Sequence, residues 1–152
     1  MTPSLARRLS DTVQPLLRRP EQLQVAALCT RHADRGGQEV LLVTSRGTGR
    51  WILPKGWPMA GRTLAEAAGQ EAWEEAGVRG TVDPEPMGSY GAEKVTDGGL
   101  SMPCRISVFR LRVSEEVDSF PEAGQRRRRW MPASEAALLV REAELKRLLA
   151  TL

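Results

Sequence analysis

The stretch "GWPMAGRTLAEAAGQEAWEEAGV", Gly56 to Val78, decides the reading of this chain. Thr63 followed by Glu66 is a capping-box pattern, so a helix starts near Leu64. Gly77 is placed to end it in the left-handed conformation. At about 100° per residue, Leu64, Ala67 and Ala68 share one face. Glu71 and Glu75 continue that face one and two turns later, and Glu74 sits on its edge. A solvated face accounts for Glu66, Gln70 and Glu74, which run at i, i+4 and i+8. It does not account for Glu71 and Glu75, which point where the apolar stripe points. Like charges four residues apart destabilise an isolated helix, and burying unpaired carboxylates costs far more. The helix carries no Lys or Arg beside them. Something cationic should meet them, and a hard divalent metal bound through oxygens is the economical answer.

The segment just before the helix, "LPKGWPMAG", places Pro54, Gly56, Pro58 and Gly61 close together. That is a shaped loop, with glycine where backbone must approach something closely. It ends at a helix start, where unpaired N–H groups collect.

Further out, "LQVAALCTRH" (Leu23 to His32) and "QEVLLVTSR" (Gln38 to Arg46) read as strands joined by turn chemistry. "RWILPKGW" is a short strand stopped by Pro54. "RGTVDPEPMGSYGAEKV" is broken into short strands and bends, and "CRISVFRLRV" (Cys104 to Val113) alternates as a good strand. "SEEVDSFPEAGQ" is an acidic loop, "RRRRWM" a short strand, and "SEAALLVREAELKRLLATL" one or two closing helices. The order implies one α+β domain over 21–152, after an extension over 1–20.

With 152 residues the chain is long enough for one core, and its composition is that of an ordinary globular protein. A net charge of +3 permits an anionic ligand without identifying one. No apolar run is long enough to span a membrane. "MTPSLARRLSDTVQPLLRRP" has arginines but no apolar signal core, which points to the cytoplasm. Cys29 and Cys104 read as free thiols, with a disulfide left open.

Loop and carboxylates together resemble the Nudix box, G-x5-E-x7-R-E-U-x-E-E-x-G-U with U apolar. Gly56, Glu71, Ala72, Glu74, Glu75, Gly77 and Val78 match it in register. From about Gln22 to the C-terminus the order of elements is similar to a complete Nudix domain, which implies a mixed β-sheet sandwiched between α-helices. "SRGTGRWILPKGWPMAGRTLAEAA" and "FPEAGQRRRRWM" resemble the branch related to diphosphoinositol polyphosphate phosphohydrolases. Arg62 and Gln70 stand where the pattern has Glu and Arg. The family pair is expected to brace the loop against the helix. Both positions have changed together, so neither is left as half of a broken ion pair.

The resemblance implies hydrolysis of a phosphoanhydride bond, in a nucleoside-diphosphate-linked substrate or in a diphosphoinositol or dinucleoside polyphosphate. Glu71 and Glu75 would be ligands of Mg²⁺ or Mn²⁺, joined by a backbone carbonyl near Lys55 or Gly56. Glu74 is the candidate base or a further ligand. Ser45, Arg46 and Arg50 match positions that line the phosphate site in that branch, although ordinary turn residues would look the same. Lys55 is either a phosphate contact or a solvated loop lysine.

If the run Arg126 to Arg129 is extended, Arg126 and Arg128 face one way and Arg127 and Arg129 the other. One pair could reach the pocket, where a planar guanidinium binds two phosphate oxygens at once, and the match to the family position favours Arg126 and Arg128. Trp51, Trp57, Trp73 and Tyr90 read as packing residues, His32 as structural or solvated, and Lys146 and Arg147 as a solvated helix face. The expected partner is a small phosphorylated molecule. An aromatic content of 5% argues against a nucleic-acid partner, and a homodimer is compatible with the sequence. The rival functions are a binding or sensor module that holds a phosphorylated ligand without cleaving it, and a role at RNA ends.

Overall fold

The computed structural model describes residues 20–152. The reading made above for the first residues of the chain lies outside the described residues. Eight strands form one mixed sheet: β1 Gln22–His32, β2 Gln38–Thr44, β3 Trp51–Ile52, β4 Lys55–Gly56, β5 Val78–Val82, β6 Gly88–Val95, β7 Ser101–Glu116 and β8 Arg128–Pro132. Three helices are described: α1 Leu64–Ala76, α2 Ala133–Leu139 and α3 Ala143–Leu149. The main order is β3-β2-β1-β7-β5, with β4 against β1, β6 against β7 and β8 against β2. The pairing of β1 with β7 is parallel; the others are antiparallel.

Strand alternation explains the layers. On β1, Ala26 and Leu28 join Val40, Leu42, Ala136, Leu145 and Leu149 on the side of α2 and α3. Val25, Ala27 and Cys29 join Leu41, Val43, Ala68, Ala72 and Ala76 on the side of α1. The central strands are therefore apolar on both faces, as a sheet covered on both sides requires. The small alanines of α1 let the helix lie close to the sheet. The fold is the expected α+β sandwich.

Helix α1 begins as its sequence indicated. Thr63 accepts from the Glu66 backbone N–H, and the Glu66 carboxylate accepts from the Thr63 N–H. Gly77 closes the helix at φ 67°, donating to Trp73 O. A Cβ there would also run into the Phe120 ring, so both backbone and packing call for glycine. Leu64, placed on the apolar face by the helical period, is 36% exposed, and Ala65 is buried in its stead. The buried stripe is Ala65, Ala68, Ala72 and Ala76 with Ala67 and Glu75 beside it, a small rotation of the expected face.

Cys29 and Cys104 are both buried and unbridged. No helix among the described residues is long and apolar enough to cross a membrane.

Candidate functional site

Three backbone devices assemble the site. Strand β4 pairs Lys55 and Gly56 with Ala26 and Val25, which fixes the loop beside the centre of the sheet. The turn after β2 is closed by Ser45 N–H on Arg50 O and Gly49 N–H on Ser45 O. The loop after β7 is laid across the end of α1, through Val117 N–H on Gly77 O and Glu122 N–H on Glu74 O. Between these segments lies a cavity of about 860 Å³. It is lined by Ser45, Arg46, Arg50, Lys55, Gly56, Glu71, Glu74, Glu75 and Arg126 among others. The structure thus gathers on one cavity nearly all the residues singled out from the sequence.

Glu75 is 5% exposed. Its Oε2 accepts from the Lys55 N–H at 3.0 Å and its Oε1 from Arg126 Nη2 at 3.1 Å. The cation demanded by its place on the apolar face is therefore present, and it comes from the far end of the chain. Burial pushes the Glu75 carboxyl up, against the opposing pull of Arg126 and the Lys55 N–H. Glu71 differs. No hydrogen bond or ion pair from the described residues reaches it, and burial, with the Glu74 and Glu122 charges added, pushes it up to about 7. Its carboxylate lies against Gly56, where a Cβ would come within 2.2 Å of Oε1. Only glycine admits this approach. Glu74, at the edge of α1, is held by Gln70 Nε2 at 3.0 Å.

A fourth carboxylate joins them. Glu122 accepts from Arg126 Nε at 3.3 Å, lies 3.5 Å from Arg46 Nη1, and raises both Glu71 and Glu75 by its charge. The sequence reading passed over it inside an acidic loop. The usable signal was its spacing, four residues before the first arginine of the run.

Cations line the same cavity. Arg46 is largely exposed and is also held by Gln125 at 3.0 Å. Arg50 Nη1 lies 2.6 Å from Glu142 Oε1 at the start of α3, so the closing helices anchor one side of the cavity. The Ser45 hydroxyl pairs with that of Thr48 and accepts from the Arg50 N–H. Lys55 Nζ donates to Gln24 at 3.2 Å, and burial lowers its pKa. Lys55 is thus partly buried rather than a solvated loop lysine. Trp57, read as packing, is 40% exposed on the cavity wall, with Lys94 over its ring.

The arginine run divides. Strand β8 begins only at Arg128, yet the alternation holds. Arg126 and Arg128 turn to the α1 side, while Arg129 pairs with Glu135 of α2 and Arg127 lies over Trp51. Arg126 and Arg128 do not share a destination, however. Arg126 enters the cavity. Arg128 is not among the residues lining it; its guanidinium donates to Ala76 O at 2.7 Å and Val117 O at 2.6 Å and pairs with Asp118. A cation on the last carbonyls of α1 is where the helix dipole favours one.

Arg62 and Gln70 do meet, with Arg62 Nη1 donating to Gln70 Oε1 at 3.1 Å. Gln70 passes the contact on to Glu74. A neutral acceptor replaces one charge and the direction of the pair is reversed, but loop and helix remain linked.

Glu71, Glu74, Glu75 and Glu122 are all hard oxygen donors, and Glu71 has acceptor capacity to spare. That donor set fits a divalent ion such as Mg²⁺ or Mn²⁺. Among the described residues no three acidic, histidine or cysteine side chains converge tightly enough to hold an ion as they stand. Arg126, bound to both Glu75 and Glu122, sits among them.

Comparison with known proteins gives the family. The NUDIX domain family model matches residues 22–152. Nudix hydrolase 12, mitochondrial, of Arabidopsis thaliana is 37% identical over 115 residues, covering 73% of this chain and 56% of the relative. Nudix hydrolase 13, mitochondrial, of the same plant is 36% identical over 108 residues, covering 68% and 54%. The chain spans about half the length of these curated relatives. Among solved structures, a C. elegans Ap4A hydrolase binary complex superposes with a TM-score of 0.62 at 21% identity, covering 85% of this chain and 93% of that one. The NUDIX domain of Shewanella oneidensis NrtR, complexed with ADP ribose, superposes with a TM-score of 0.63 at 17% identity, covering 97% and 96%. At such identities the structures speak for the fold alone. The family model, spanning the sheet, α1 and the carboxylate-lined cavity, decides the assignment: this chain belongs to the Nudix family.

Proposed function

We propose that this protein is a metal-dependent pyrophosphohydrolase that cleaves a phosphoanhydride bond in a small, multiply phosphorylated substrate. Diphosphoinositol and dinucleoside polyphosphates are the leading candidates, and ADP-ribose or a nucleoside triphosphate follow. The observation that carries this reading is the shared cavity: the carboxylates Glu71, Glu74, Glu75 and Glu122 and the cations Arg46, Arg50 and Lys55 line it together. Acids alone would suit a cation store, and bases alone an anion-binding module. Both together suit phosphoryl chemistry.

Glu71 and Glu75 would hold a divalent ion, Mg²⁺ or Mn²⁺, with backbone oxygen from the loop at Lys55 or Gly56 and with Glu122 in reach. Such an ion supplies neutralisation of phosphate charge and a more acidic water. The protein's own groups do the rest. Arg46 and Arg50 bind and orient the phosphates through their planar forks. Lys55, fixed by Gln24, adds a point charge. Glu74 is the candidate acceptor of the water's proton, steered by its hydrogen bond from Gln70.

The test is release of phosphate from a panel of these substrates with Mg²⁺ or Mn²⁺. Wild-type turnover should require the ion and stop with chelator. Glu75→Gln should lose about two orders of magnitude or more in kcat/KM while keeping its fold. Tight binding of a phosphorylated ligand without turnover under any ion would replace this reading with that of a binding module.

A further inference from the structure

Both Glu75 oxygens already accept a hydrogen bond, Oε2 from the Lys55 N–H and Oε1 from Arg126. The Arg126 side chain is only 7% exposed. It is also tied to Thr44 O at 3.1 Å and to Glu122 at 3.3 Å, so it is seated rather than loosely placed. Glu71, one helical turn from Glu75, has no such partner. The guanidinium therefore sits on Glu75, one of the two carboxylates proposed to hold the divalent ion. A divalent ion bound to the same carboxylate would repel the guanidinium a few ångströms away and compete with it for the carboxylate charge. The long arginine stem, anchored just before β8, makes a swing of the head group cheap compared with moving a strand.

We propose that Arg126 is a resident counter-cation which leaves Glu75 when a divalent ion binds, and which is thereby turned towards the phosphates of the substrate. This rests on the metal-dependent reading above. Arg126 is then a positioning residue in the empty enzyme and a phosphate ligand in the loaded one. Its charge keeps the carboxylates compatible with the fold before metal arrives. The cost is a weaker hold on the metal than the same carboxylates would have without it. Metal and substrate affinities become coupled, since releasing Arg126 prepares the anion side of the cavity.

The experiment measures Mn²⁺ affinity without substrate, by electron paramagnetic resonance or calorimetry, for wild type, Arg126→Gln and Arg126→Lys. Melting temperature with and without Mn²⁺ is measured alongside. Arg126→Gln should bind Mn²⁺ about fivefold or more tightly. It should melt lower than wild type without metal and recover more on adding Mn²⁺. Arg126→Lys, which keeps the charge but cannot span Glu75 and Glu122 with one fork, should fall between, and it carries the comparison if Arg126→Gln does not fold without metal. Unchanged or weaker Mn²⁺ binding in the folded variants overturns the proposal and leaves the hydrolase reading standing. Tighter binding with no turnover of any substrate by wild type leaves the proposal standing and overturns the hydrolase reading. No Mn²⁺ binding by any of the three proteins overturns both.

Discussion

At the scale of single residues, Gly56 decides how close a carboxylate can come to the sheet. The Glu71 side chain fills the space a Cβ would need. Gly56→Ala should fold, because the clash is with the movable end of a side chain. It should displace Glu71, however, and lower both metal affinity and turnover. The check is Mn²⁺ titration with a melting curve; wild-type affinity in the alanine variant would show that the approach has no function. Cys29 makes a separate case. Burial pushes its thiol up to about 12, so almost no reactive thiolate forms in the folded protein at neutral pH. Alkylation of the native protein should stay slow from pH 7 to 9 and accelerate only on unfolding. Rapid labelling of Cys29 at pH 8 without denaturant would contradict the buried position.

At the scale of elements, α1 is held to its surroundings by side chains at both ends. At the start, Arg62 and Gln70 link the shaped loop to the helix. Restoring the family's arrangement with Arg62→Glu and Gln70→Arg together should be tolerated, and each single change should be less favourable than the double. A double-mutant cycle on melting should show a coupling of about 0.5 kcal/mol or more. Additive single effects would mean the contact is energetically silent. At the other end, Arg128 caps the carbonyl of Ala76 and reaches Val117. Arg128→Gln should cost about 1 to 2 kcal/mol of stability with KM unchanged. A raised KM with no loss of stability would return Arg128 to the substrate side.

At the scale of the whole molecule, charge is sorted by layer. The α1 side of the sheet collects the carboxylate cluster and its arginine counter-ion. On the α2 side, Arg129 is spent on the surface partner Glu135 and Arg127 on Trp51. Arg127→Gln with Arg129→Gln should therefore leave KM for a polyphosphate unchanged at low and high salt. Arg46→Gln with Arg50→Gln should raise it, with the difference narrowing at high salt as screening weakens every exposed contact. Equal KM in both double variants would remove the cationic wall from the site.

What the sequence determined by itself was what local rules control. The capping box of Thr63 and Glu66, the left-handed Gly77, the alternation of β1 and β7, and the misplaced charges of Glu71 and Glu75 are all set by neighbours within a turn or two. Those features carried the helix bounds, the sandwich and the helix face on which the carboxylates gather. The tertiary structure decided what pairs across long separations. Arg126 meets Glu75 from 51 positions away, and Glu142 at the start of α3 holds Arg50. Glu122 becomes a fourth carboxylate only because its loop hydrogen-bonds to the backbone of Glu74. Arg126 and Arg128 leave the run on the same side, as a period of two requires. One ends in the cavity and the other on a helix end, because α1 lies across the sheet and offers a carboxylate to the first and bare carbonyls to the second. A sequence pattern fixes the direction in which a side chain departs; the partner it finds is set by which distant element packs there.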